Sequence, residues 1–213
     1  MRPGLMIFLG LCVLSASVYP FSFSDDEERD AAKAEAKARR LDRLESVPCA
    51  SSLKNKKVAV MIGERHQDGR LSSKQSNYGI MFQEINGRLR NLGLQTYSQE
   101  QITAQIASAE LAACLNNNPD AAIAASRRLS ASFLIKGMIR SRSHVNPILG
   151  INEVFVNLNL SLVDGKGRIL SDVALKGDSY AGSDTLSAAL TVVQEQADMA
   201  VARLYHDYCT QAR

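Results

Sequence analysis

The sequence predicts an α/β domain: a single mixed β-sheet of about five strands with helices on both faces, in the order β-α-β-α-α-β-β-β-α. Three observations carry this. Val58–Ile62 (VAVMI) is an unbroken apolar run of strand length, which suits a strand buried on both faces, as in a parallel sheet. Val154, Val156, Leu158, Leu160 and Leu162 alternate with Phe155, Asn157, Asn159, Ser161 and Val163, and the turn Asp164-Gly165-Lys166-Gly167 follows. Apolar residues elsewhere recur at three- and four-residue steps, the spacing of one helix face.

Before the domain come two different segments. Arg2 is followed by a stretch from Leu5 to Val18 without charge, and charge returns abruptly at Asp25. A basic start, an apolar stretch and small residues (Ser22 and Ser24, or Ser15 and Ser17) make a secretory signal, so residues 1–24 are expected to be removed on export. Pro20, Ser22 and Ser24 interrupt the run and argue against an uncleaved membrane anchor, which wants ~20 apolar residues. Cys12 follows Leu11, where lipid attachment needs a small residue. Residues 25–46 are charged and Ala-rich, with acids early and bases late; they read as a solvated helical tether or a partner-binding arm. Residues 47–213 form the α/β interaction domain. The chain has 213 residues and a formal charge of +3, which suits roughly one domain and argues against a nucleic-acid binder.

The elements follow in order. Val47-Pro48 ends the tether, and Lys57 precedes the first strand. The polar loop GERHQDGRLSSKQS comes next. Tyr78, Met81, Phe82, Ile85, Leu89 and Leu92 mark the first helix, ended by Gly93. Leu94–Tyr97 is a short strand. Ser98 with Gln101 is a capping-box start for a second helix carrying Ile102, Ile106 and Leu111. Asn118-Pro119-Asp120 opens a third helix, running to about Leu129. Ser132–Arg140 is a strand, and His144–Ile151 a loop around Pro147. The hairpin returns through Ile169, Ser171, Val173 and Leu175. Ser183 and Asp184 cap a last helix whose apolar residues are Leu186, Leu190, Val193, Ala197, Val201, Leu204 and Tyr208.

On these residues the chain resembles an α/β domain family of the bacterial envelope. The carrying stretches are KKVAVMIGE, NYGIMFQEINGRLRNLGLQTYS, PDAAIAASRRLSASFLIKGMI and VFVNLNLSLVDGKGRIL. The family includes the amino-terminal part of TolB, the periplasmic body of the curli secretion channel (CsgG), the LpoB-type activators of peptidoglycan synthases and the middle domain of FlgT. The resemblance covers roughly Lys56 to Cys209 and implies an isolated envelope module. The connection from Ser141 to Asn152 and the minimal hairpin turn depart from the long membrane-spanning hairpins of the curli channel, which puts channel activity in doubt.

The residues offer little catalytic chemistry. Glu64, His66 and Asp68 follow the first strand, where parallel sheets hold ligands, and could do acid–base work or help bind a metal. The expected alternative is a solvated polar loop. Gly63 and Gly69 lack the Gly-Lys-Ser/Thr of a phosphate loop, and no nucleophile or zinc motif occurs. No cofactor and no metal are expected. His206 reads as a packing or capping residue; Asn157, Asn159 and Ser161 read as a solvent- or helix-facing strand surface; Lys54, Lys56 and Lys57 read as solvated charge. Pro147, Ile148, Leu149 and Ile151 are either packed under the helices or exposed for a partner.

The expectation is therefore a non-catalytic binding or assembly module, secreted to the periplasm, for an outer-membrane, flagellar or cell-wall complex. Its partner would be an envelope protein, not nucleic acid, and no membrane span would remain after cleavage. The alternative is a small periplasmic enzyme or ligand binder using the Glu64–Asp68 loop. Export leaves Cys49, Cys114 and Cys209 in an oxidising compartment. Right-handed crossovers put the first and last helices on one face of the sheet and the middle helices on the other. Cys209 then lies close to Cys49, and Cys114 lies across the sheet. A Cys49–Cys209 disulfide with Cys114 a partly buried thiol is expected; three reduced thiols are the alternative.

Overall fold

The computed structural model describes residues 23–47, 49–182 and 184–211. The expected signal segment before Phe23, with Cys12, lies outside the described residues, as do Pro48 and Ser183. Among the described residues, those up to Ala38 belong to one unit and those from Arg39 to another. Helix α1 (Phe23–Glu45) spans the segment expected to be a helical tether. Its residues 26–40 are all exposed, and Lys33–Asp30 at 2.8 Å is one of its three-residue ion pairs.

In the second unit the elements are α2 (Ala50–Leu53), β1 (Lys57–Arg65), β2 (Leu71–Ser72), α3 (Gly79–Asn91), β3 (Gln95–Thr96), α4 (Gln99–Gln105), α5 (Ser108–Leu115), α6 (Pro119–Leu129), β4 (Phe133–Val145), β5 (Asn152–Asp164), β6 (Ile169–Ala181) and α7 (Thr185–Gln211). They build one open mixed sheet in the order β2-β1-β4-β5-β6, with β3 also paired to β1. β1 is parallel to β3 and β4; the other pairings are antiparallel. This is the expected α/β class.

Register sorts the side chains into two layers. Val58, Val60 and Ile62 share a face with Phe133, Ile135, Ile139, Leu158, Leu160, Val173 and Leu175, and α3 and α7 pack on it. Ala59, Met61 and Leu134 face the other way, against α5 and α6. Burying large side chains on both faces of β1 and β4 stabilises this fold by about 1.5–3 kcal/mol each. Small residues bring α7 close: Ala188, Ala189, Ala197, Ala200 and Ala202 are fully buried. The buried face of α7 is therefore broader than the leucine stripe of the sequence, and Leu186, Leu190 and Tyr208 lie at its margin. Arg88 ties α3 to α7, bonding Glu84 and Asp198 at 2.6 Å each.

Local signals set the helix ends. Ser98 and Gln101 form the capping box of α4. Asn118 accepts a bond from the Ala121 amide at 3.1 Å, and Pro119 occupies the first turn of α6. Asp184 accepts from the Ser187 amide at 2.8 Å at the start of α7.

Three expectations need correction. The helix expected from Ser98 through Leu111 is two helices, because Ile106 turns to an extended conformation and buries its side chain. The loop after β1 is a hairpin: β1 continues to Arg65 and pairs back with β2 through Glu64↔Ser72 and Arg65↔Leu71. The strands of the β4–β5–β6 meander are longer than their apolar patterns. Each has 13 residues, and β4 runs on past the end of β1, where polar residues meet solvent.

Cys49 and Cys209 form a disulfide with a Cα separation of 5.6 Å, and Cys114 is a buried free thiol. Around the bridge, Tyr205 donates to the Val47 carbonyl at 2.9 Å, and the Tyr208 ring meets Phe133 edge-on at 5.0 Å. Burial pushes the Cys114 thiol up to about 11, which suppresses the reactive thiolate at neutral pH.

Candidate functional site

The hairpin tip between β4 and β5 is the first candidate. Residues 146–151 turn the chain, held by Asn146. Its side-chain oxygen accepts from the amides of Ile148 and Leu149 at 2.9 and 3.0 Å. Its own backbone amide donates to the Ile151 carbonyl at 2.8 Å, and its side-chain amide donates to Glu153 at 2.9 Å. Gly150 takes a positive φ of 66°, which a side chain would strain. Below the turn, His144 pairs with Glu153 at 3.1 Å and stacks on Phe155 at 5.2 Å.

This turn points apolar side chains outward. Of the six large apolar residues that stand exposed among the described residues, four are Val145, Ile148, Leu149 and Ile151. Ile148 is 90% exposed and Leu149 65%. Pro147 is exposed beside them. Of the two dispositions open to this segment in the sequence, packed or exposed, the structure has the exposed one.

The Glu64–Asp68 segment is the second candidate. Glu64 is 7% exposed and lies on the sheet face shared with Ile139. Its carboxylate is 3.7 Å from His66 Nδ1, and His66 Nε2 lies 2.7 Å from the Ser72 hydroxyl. Burial first, and then the Glu64 charge, push the Tyr78 phenol up to about 12, so Tyr78 stays neutral; it donates to the Ser72 carbonyl at 3.0 Å. Asp68 turns away: it accepts from the Arg70 amide at 2.9 Å and its guanidinium at 2.5 Å. The Arg70 amide bond, then the guanidinium, hold the Asp68 carboxyl below the usual range. The expected solvated loop is thus half wrong. Glu64 and His66 are structural members of the β1–β2 hairpin, and Asp68 closes its turn. The three do not converge, and no cluster with metal-ligand geometry occurs among the described residues.

A third feature escaped the sequence. The β5–β6 half of the sheet face that carries α5 and α6 is open. There a groove of about 590 Å³ runs between Arg65, His66 and Gln67 at one side and Arg140, Arg142, Phe155, Asn157 and Lys176 at the other. Alternation along β5 marked Asn157 as outward, but the cationic neighbours come from register across several strands. Lys136, lower on this face, is buried beside the Cys114 thiol and donates to Asn117 at 2.7 Å. Burial pushes its amine below the usual range.

No protein-family model matches the chain, and no curated protein matches it. Solved structures with a similar chain trace exist. A PelC dodecamer from Paraburkholderia phytofirmans is 12% identical over 68% of this chain and 87% of that one, with a TM-score of 0.38. Lipoprotein GNA1162 from Neisseria meningitidis is 12% identical over 66% and 96%, with a TM-score of 0.38. The LpoB C-terminal domain from Salmonella enterica is 14% identical over 65% and 98%, with a TM-score of 0.34. LpoB is one of the proteins that the sequence resembles; no residue's role is carried over from any of the three. Among the described residues, no helix is long and apolar enough to cross a membrane.

Proposed function

We propose that this protein is a non-catalytic binding or assembly module of the bacterial cell envelope. It acts in the periplasm and docks on a protein partner of an outer-membrane, flagellar or cell-wall complex through the β4–β5 tip. The observation that carries the reading is the exposure of Val145, Ile148, Leu149 and Ile151 on one ordered turn. A turn braced by Asn146 loses little conformational freedom on binding, so burial of Ile148 and Leu149 in a partner's apolar pocket would add about 1.5–3 kcal/mol each. The non-catalytic part is supported by Glu64, His66 and Asp68, which spend their polar groups inside the β1–β2 hairpin. Residues 1–24 serve export in this reading, and α1 spaces the domain from its anchor point or partner.

The test is a photo-crosslinking residue at position 148, introduced into the full chain in its own cells. One discrete protein adduct is expected, and none from the same residue at Lys166, in the exposed turn at the opposite end of β5. Equal adducts from both positions, or none from position 148, would contradict the reading.

A further inference from the structure

The open sheet face carries a row of cations; its acid Asp172 sits further along β6, where it accepts a bond from the Ser161 hydroxyl. Arg65 pairs in register with Arg140, Arg140 with Asn157, and Asn157 with Lys176. Residues in register share a face, so four adjacent strands present Arg, Arg, Asn and Lys side by side. At ~4.8 Å per strand the row is about 14 Å wide. Arg142 extends it, its guanidinium 5.9 Å from the Phe155 ring centre. Together with His66 and Gln67 these residues line the groove of about 590 Å³, and no carboxylate lines it among the described residues.

The nearby acids are committed elsewhere. Asp68 holds Arg70, and Glu153 holds His144. Arg65 is steadied by the Asn116 side-chain oxygen and donates to the Gly69 carbonyl at 3.4 Å. Arg140 and Lys176 are both exposed, Lys176 on the edge strand. Asn157 lies between them in register. Like charges gathered in a concave surface raise the local potential and draw in anions.

We propose that this groove binds a ligand carrying two or more phosphate groups. The choice of an oligoanion follows from exposure. A single exposed ion pair contributes only about 0–1 kcal/mol, so one charge would not be held. A row about 14 Å wide engages several oxyanions at once, and guanidinium forks meet phosphate oxygens with paired, charge-assisted bonds. The phosphates come either from a soluble oligophosphate compound or from the headgroups of an anionic bilayer. This site is separate from the apolar tip and does not depend on it.

The test has two probes and uses the full exported chain. Inorganic pyrophosphate is titrated by calorimetry at low salt. In parallel, the protein is floated with vesicles of phosphatidylglycerol and phosphatidylcholine in equal parts, against pure phosphatidylcholine. Saturable, salt-sensitive pyrophosphate binding is expected if the source is soluble; flotation with the anionic vesicles alone identifies the lipid source. In either case R140Q/K176Q should weaken binding by about tenfold or more with an unchanged melting temperature. Should that pair fold poorly, K176Q alone, on the edge strand, gives the same direction of change. Replacing Ile148 and Leu149 by Asp should leave pyrophosphate binding intact, so failure of the tip reading is told apart from failure of this one. Absence of binding to both probes overturns the proposal. So does binding that R140Q/K176Q leaves unchanged, or vesicle binding that only the tip substitutions remove.

Discussion

Gly63 shows how closely single residues are constrained in this sheet. A Cβ there would lie 2.8 Å from a Leu115 methyl and 3.2 Å from the Ser72 carbonyl. Gly63→Ala must therefore move the Leu115 methyl and crowd the Ser72 carbonyl, and a loss of about 1 kcal/mol is expected in urea unfolding. An unchanged midpoint would show that the α5 contact is softer than described. Asp164 gives a second residue-scale prediction. Burial raises its pKa, but bonds from the Arg168 amide and guanidinium and the Lys166 amide outweigh this, and the net shift is downward. A depressed folded pKa means that the stabilisation is present above the unfolded carboxylate range, near about 4, and is lost as pH falls through the lower folded value. Asp164→Asn should cost about 1 kcal/mol at neutral pH and flatten the acid limb of stability below about pH 4. Parallel acid limbs for the two proteins would contradict the pairing.

At the scale of elements, two connections deserve tests. Asn118→Ala removes the α6 cap and should cost about 1 kcal/mol. The Cys49–Cys209 bridge closes a sequence separation of 160 residues, for which the chain-entropy view gives about 5 kcal/mol. Replacing both cysteines by Ser should lower stability by about 2–5 kcal/mol and leave Cys114 unreactive to alkylation in the folded state. A double variant that melts at the wild-type temperature would show that the bridge does not hold the folded domain.

Elements were legible where one physical rule acts locally. Val58–Ile62 announces a strand buried on both faces, Asn118-Pro119 a helix start, and Asp164–Gly167 a turn. The β1–β2 hairpin was not legible, because Arg65, His66 and Gln67 carry no apolar alternation. The overhang of β4 was hidden for the same reason: Ser141–Val145 leaves the covered part of the sheet, so its side chains need not be apolar. The break at Ile106 depends on tertiary burial of that side chain. For the sites, Pro147–Ile151 stood out as apolar residues in a loop, but only the fold decides between packing and exposure. The cationic row was invisible, since Arg65, Arg140 and Lys176 meet only through the register of non-neighbouring segments.

At the scale of the whole molecule, a covered sheet face contrasts with a half-open one. α3 and α7 cover one face, α5 and α6 cover β1 and β4 on the other, and the β4–β5 hairpin carries the apolar tip beyond the covered region. Ile148→Asp with Leu149→Asp should leave the melting temperature unchanged, since exposed sites change stability by only about ±0.5 kcal/mol. The most direct test of the central claim is the native size of the protein in gently solubilised envelopes. The wild-type chain and the E64A/H66A/D68A variant should migrate in one large complex, and I148D/L149D as the small free protein. A complex that survives the tip substitutions, or that the Glu64–Asp68 substitutions dissolve without a change in melting temperature, would contradict the account.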